Sequence, residues 1–104
     1  MVRVSFYYQT NNIVSVRVEG HSNFDQYGQD IVCAGISAIV FGTLNALDNL
    51  VTQEAIDIKQ TDGKIIINVL NPSNNNQMIL KTMLYQLKTI SVQYKKNINI
   101  KEVY

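Results

Sequence analysis

VRVSFYYQTNNIVSVRVEG, residues 2–20, alternates, turns and alternates again. Val2, Val4, Phe6 and Tyr8 share one face of an extended chain, and Arg3, Ser5, Tyr7 and Gln9 share the other. Period-two patterning of this kind describes a half-buried strand. Thr10, Asn11 and Asn12 supply the residue types of a hairpin turn. Val14, Val16 and Val18 then alternate with Ser15, Arg17 and Glu19, so a second strand pairs back on the first. Gly20 ends it, as a residue that tolerates backbone angles closed to others.

Downstream, the period changes. Residues 21–29 are mostly polar and predict a loop, in which Gly20 and Gly28 bound a mobile flap. Asp30 is the expected N-cap of a helix over about residues 31–49. Ile36, Ile39, Val40, Leu44 and Leu47 make its apolar stripe. Ala34, Gly35, Ala38, Gly42 and Ala46 are small, and the helix is expected to be the most buried element of the chain. A second hairpin follows: Ile56 and Ile58, the tight-turn pair Asp62-Gly63, then Ile65, Ile67 and Val69. An Asn-rich stretch after Pro72 caps a second helix from about residue 75 to 91, with Leu80, Met83, Leu84, Leu87 and Ile90 along one face. Ile98, Ile100 and Val103 suggest a last strand. The order is ββαββαβ: one α/β domain of the α+β kind over residues 1–104, two hairpins and a C-terminal strand forming a sheet packed with two helices.

Composition narrows the function classes. Hydrophobic residues make up 46% and charged residues 16%, which excludes disorder by composition. Nine Lys+Arg against eight Asp+Glu leave no net field that demands nucleic acid or an anionic membrane. The lysines gather late, at 81, 88, 95, 96 and 101, and read as a solvated face. No signal peptide is evident, and the apolar run from Ile31 to Leu44 reads as too short to span a bilayer. The expectation is a cytoplasmic protein with neither membrane nor direct nucleic-acid partner. One cysteine and one histidine are too few for a zinc site of those residue types, and no phosphate-binding glycine loop is present, so no metal or cofactor is expected.

Chemistry concentrates in residues 20–37. With Asp30 as N-cap, Cys33 falls in the first helical turn, where the helix dipole favours a thiolate and can bring the pKa below about 8.5. The Asp30 carboxylate works against that. His21, the only histidine, sits at a strand-to-loop edge, and the intervening loop can fold its imidazole back to the sulfur. A small buried hydrophobe remains the plain reading of Cys33, and a surface histidine without a role that of His21. Backbone amides around Val32 and Cys33, or near Ser22, can serve an oxyanion. Ser37 lies one turn beyond Cys33 and can orient the thiol or bond back to the Cys33 carbonyl. Phe24 and Tyr27 suit a hydrophobic peptide or the local core equally.

The chain resembles the ribosomal-processing cysteine proteases, Prp. The resemblance rests on Gly20-His21, on Tyr27-Gly28-Gln29-Asp30-Ile31-Val32-Cys33-Ala34 and on Ser37-Ala38, and the ββαββαβ order extends it to nearly the whole chain. Ser22 and Gly35 stand where many relatives have alanine. The resemblance implies that Cys33 is the nucleophile and His21 the base, that Asp30 has a role near the active site, and that the loop from Ser22 to Gln29 covers or shapes the substrate groove. With Ser37 as a further support, Gly20, Ser22, Phe24 and Tyr27 are the expected substrate-binding residues. It implies a homodimeric endopeptidase that removes the N-terminal extension of a large-subunit ribosomal protein after a Phe-Phe-like motif. The alternatives are a non-catalytic adaptor for such a peptide and a thiol redox protein.

Overall fold

The computed structural model describes residues 1–20 and 31–104. In it, five strands form one sheet, and two helices cover one face. The strands are β1 (Val2–Gln9), β2 (Asn12–Glu19), β3 (Ile56–Thr61), β4 (Lys64–Val69) and β5 (Ile98–Val103); the helices are α1 (Ile31–Leu50) and α2 (Asn74–Gln93). A short 3-10 helix, Gln53–Ala55, which the sequence pattern did not signal, connects α1 to β3. Strand order is β3-β4-β2-β1-β5. All pairings are antiparallel except β1 with β5. The ββαββαβ order is the one read from the sequence.

Alternation explains which face carries the helices. Val2, Val4 and Phe6 of β1, Val16 and Val18 of β2, Ile65, Ile67 and Val69 of β4 and Ile98 of β5 are buried in one apolar cluster with side chains of both helices. On the opposite face Arg17 lies over the Tyr7 ring at 5.5 Å, and the Ser15 hydroxyl donates to Asn68 Oδ1 at 3.0 Å. β3 forms an edge, and Ile58 on it is 38% exposed.

One register detail departs from simple alternation. Tyr7 pairs with Ser15 but Tyr8 with Ile13, so Val14 is an extra residue in β2. This β-bulge turns Ile13, rather than Val14, into the core, where it is fully buried. The β2–β4 register begins only at Ser15, so Ile13 has no partner in β4. Gln77 of α2 satisfies both backbone groups of Ile13: the Ile13 N–H donates to its Oε1 at 2.7 Å, and its Nε2 donates to the Ile13 carbonyl at 2.9 Å. A buried glutamine inside a helix thus completes the sheet.

The preceding turn has Thr10 and Asn11 at positive φ, 48° and 67°, with Asn12 already in β2. Two central residues at positive φ match the right-handed twist of the strands. In the second hairpin only Gly63 takes positive φ, at 71°. α2 opens on a full capping box: the Asn76 N–H donates to Ser73 Oγ at 3.2 Å, and the Ser73 N–H donates to Asn76 Oδ1 at 3.0 Å.

α1 departs from two expectations. It buries Val32, Ile36, Val40, Thr43 and Leu47, whereas α2 buries six residues, so α1 is not the most buried element. Ile31, Phe41 and Leu50 stand exposed on it. At 20 residues it is also long and apolar enough, by length and composition, to cross a membrane, which corrects the argument from a shorter run. In the fold, its buried stripe belongs to the core cluster. A Cβ on Gly35 would lie 3.4 Å from Ile90 Cδ1, an ordinary contact, and one on Gly42 would meet nothing within 4 Å. Nothing in the structure explains Gly42.

Candidate active site

Two described elements flank the segment that carries the candidate site, the end of β2 and the start of α1. β2 leads out through Gly20, whose φ is +88°. Its N–H donates to the Gly63 carbonyl at 2.9 Å. A Cβ at this position would stand 2.7 Å from the Met1 carbonyl oxygen, closer than such contacts occur. Glycine is therefore required twice, for backbone angle and for space. The in-register pair Glu19 and Lys64 adds a 3.7 Å ion pair beside it. Exposed pairs of this kind contribute little. The point from which His21 departs is thus held between the start of β1 and the β3–β4 turn. The sequence flagged Gly20 as a strand end but had no way to show that the turn glycine, Gly63, would grip it.

Cys33 is the third residue of α1 and half-buried, packed against the edge of the core cluster. It lies in the first turn of the helix, the end at which the macrodipole favours negative charge. Ser37, one turn on, is half-buried too, and among the described residues its hydroxyl has no hydrogen-bond partner. Thr43, by contrast, bonds back to the Ile39 carbonyl at 2.7 Å. His21, Ser22, Phe24, Tyr27, Gly28 and Asp30 lie outside the described residues. The structure thus describes the strand end that precedes His21 and the helix start that contains Cys33.

The comparisons with known proteins bear on this framework. The family model described as Cysteine protease Prp matches residues 1–99. The chain belongs to the Prp family of cysteine proteases. Among relatives, the ribosomal processing cysteine protease Prp of Staphylococcus aureus (strain Mu50) is 41% identical over 91 residues, 85% of each chain. That of Bacillus subtilis (strain 168) is 36% identical over 94 residues, 85% of this chain and 84% of the relative. The crystal structure of the essential ribosomal processing protease Prp from S. aureus with a covalently linked product peptide superposes with a TM-score of 0.88 at 35% identity, over 98% of this chain and 99% of that one. The S. aureus Prp structure with a substrate peptide gives 0.82 at 36% identity over the same shares. Membership in the Prp family makes the chain a cysteine protease of the ribosomal-processing kind.

Proposed function

We propose that the chain is an endopeptidase acting on the N-terminal extension of a large-subunit ribosomal protein, cutting after a Phe-Phe-like motif, with Cys33 as nucleophile and His21 as acid–base partner. The observation that carries this reading is a half-buried cysteine in the first turn of α1, in the only cysteine of a cysteine protease. A covalently linked product peptide on the S. aureus relative agrees with thiol acylation.

The chemistry runs as acyl transfer. The Cys33 thiolate attacks the scissile carbonyl, and the electron pair of that C=O moves to oxygen. Backbone N–H groups stabilise the oxyanion. As the tetrahedral centre collapses, the C–N bond breaks and protonated His21 gives its proton to the leaving amine. A water, deprotonated by His21, then attacks the thioester, releasing the acid product and restoring the thiol. Asp30, on the family resemblance, and Ser37 support this pair, while Gly20, Ser22, Phe24 and Tyr27 border the peptide. We assign the work to the cytoplasm and to a homodimer, on the family resemblance, and light scattering of the purified protein tests the dimer.

The test is cleavage of the full-length ribosomal protein, followed by mass spectrometry of the products. The wild-type chain is expected to release a single N-terminal fragment ending after the aromatic pair. Cys33→Ala and His21→Ala are each expected to reduce turnover by more than about a hundredfold. A Cys33→Ala variant that cuts at the wild-type rate would refute the assignment.

A further inference from the structure

Beyond the peptidase centre, the other end of the sheet carries a built cluster. α2 presents Lys81, Tyr85 and Lys88, residues four and seven apart and so on one helical face. Together with Tyr8, Asn11 and Tyr104 they line a cavity of about 360 Å³. Tyr8 and Tyr104 stack at 4.4 Å between ring centroids, 17° from parallel. Lys88 Nζ lies 5.6 Å from the centre of the Tyr85 ring. Glu102 also faces the cavity, but its carboxylate is committed: it accepts from Tyr8 at 2.6 Å, pairs with Lys88 at 2.9 Å and accepts from Tyr104 at 3.3 Å. Tyr85 and Tyr104 nevertheless remain 65% and 84% exposed, far more than two packed rings need be. Lys81 has no ion-pair partner among the described residues.

Exposed aromatic faces interleaved with cations on a preformed concavity are the chemistry of unpaired nucleotides. Bases stack on the rings and phosphates meet the ammonium groups. An acidic peptide would use the lysines but leave both rings idle. A buried apolar ligand would leave Lys81 stranded. We infer that this pocket holds a short single-stranded RNA segment, one base against the outer face of Tyr104 or against Tyr85, and a neighbouring phosphate at Lys81. This assigns a partner to lysines that the balanced net charge reads as merely solvated. The site stands apart from the peptidase centre: Tyr8 and Asn11 lie at the hairpin end of β1, opposite the end where Met1 meets Gly20.

Fluorescence anisotropy tests it. The probe is a labelled oligouridylate of about ten nucleotides, added to the full chain. The competitors are an RNA duplex of equal length and a labelled poly-glutamate peptide. Binding to the single strand is expected to weaken about tenfold in Tyr85→Ala or Tyr104→Ala, since one stacked base is lost. In Lys81→Ala the dependence of log affinity on log salt is expected to lose about 0.7 of slope, the share of one single-strand phosphate. Peptide cleavage should be unchanged in all three variants. Equal affinity for the duplex or the poly-glutamate, or affinity insensitive to all three substitutions, would overturn the inference.

Discussion

Gly20 shows how a single residue ties sequence to site. Its positive φ and the 2.7 Å space against the Met1 carbonyl both forbid a side chain, and the obstacle is backbone rather than a movable side-chain end. Gly20→Ala is expected to destabilise the fold by about 1–3 kcal/mol, the ordinary cost of a side chain held at positive φ, with the steric clash in addition. Because His21 follows directly, peptidase activity should fall further than stability explains. Glu19→Ala, one residue earlier, removes only an exposed ion pair and should stay within about 0.5 kcal/mol of wild type in urea unfolding. Gln77 is the second telling residue. Gln77→Leu keeps the volume but orphans the N–H and carbonyl of Ile13, at about 1–3 kcal/mol for each group. Equilibrium unfolding of that variant checks whether the bulge depends on the helix.

Among the elements, the first hairpin carries a local conflict. Thr10 is β-branched yet holds φ at 48°, a region where such residues are outliers. Thr10→Asn keeps the turn type with a residue that tolerates it, and is expected to raise stability by about 1 kcal/mol. Thermal unfolding reads the gain, and no change would mean the turn relaxes at no cost. The same hairpin shows where pattern reading stops. Alternation located both strands of it, but Ile13 and Val14 are equally apolar, so nothing in the residue types announces which one is the extra residue. In the structure it is Ile13 that turns inward, where Gln77 bonds its backbone. α1 failed differently. Its length and small residues were legible, but between Ile31 and Leu47 only Ser37, Thr43 and Asn45 carry polar side chains, and with Thr43 buried they do not mark the solvent side. Its degree of burial therefore could not be read from composition. β5 was legible as a strand but not as a parallel neighbour of β1, because that pairing is decided by the crossover through α2.

At the scale of the molecule, three elements meet at Glu102. Tyr8 of β1 and Lys88 of α2 both bind its carboxylate in β5. The hydrogen bond from Tyr8, and then that from Lys88, hold the Glu102 carboxyl below its ordinary range. Burial, and then the bond to Glu102, push the Tyr8 phenol up; the bond to Glu102 likewise raises Lys88. A carboxylate depressed in the folded state contributes stability above its unfolded pKa, and that contribution is lost as pH falls through the folded value. Tyr8 and Lys88, both raised, contribute below their unfolded values and lose it as pH rises through the folded ones. Glu102→Gln should therefore cost about 1–2 kcal/mol near neutrality and little in strong acid, where the wild type has lost the same contacts. Urea unfolding as a function of pH checks it, and a cost independent of pH would contradict the linkage. The cluster was not legible beforehand, since Tyr8, Lys88 and Glu102 are scattered in sequence and only the β1–β5 pairing gathers them. The proposed peptidase centre is of a different kind: its candidate residues, His21 and Cys33, are close in sequence and belong to one specific motif.

All of the functional account turns on the sulfur of Cys33. The most direct measurement is the intact mass of the protein after rapid acid quenching with a peptide bearing the aromatic-pair site. The account predicts a transient increment equal to the N-terminal acyl fragment, mapped to Cys33 and missing from Cys33→Ala. Turnover of that peptide by Cys33→Ala at the wild-type rate, or an increment mapped to another side chain, would contradict it.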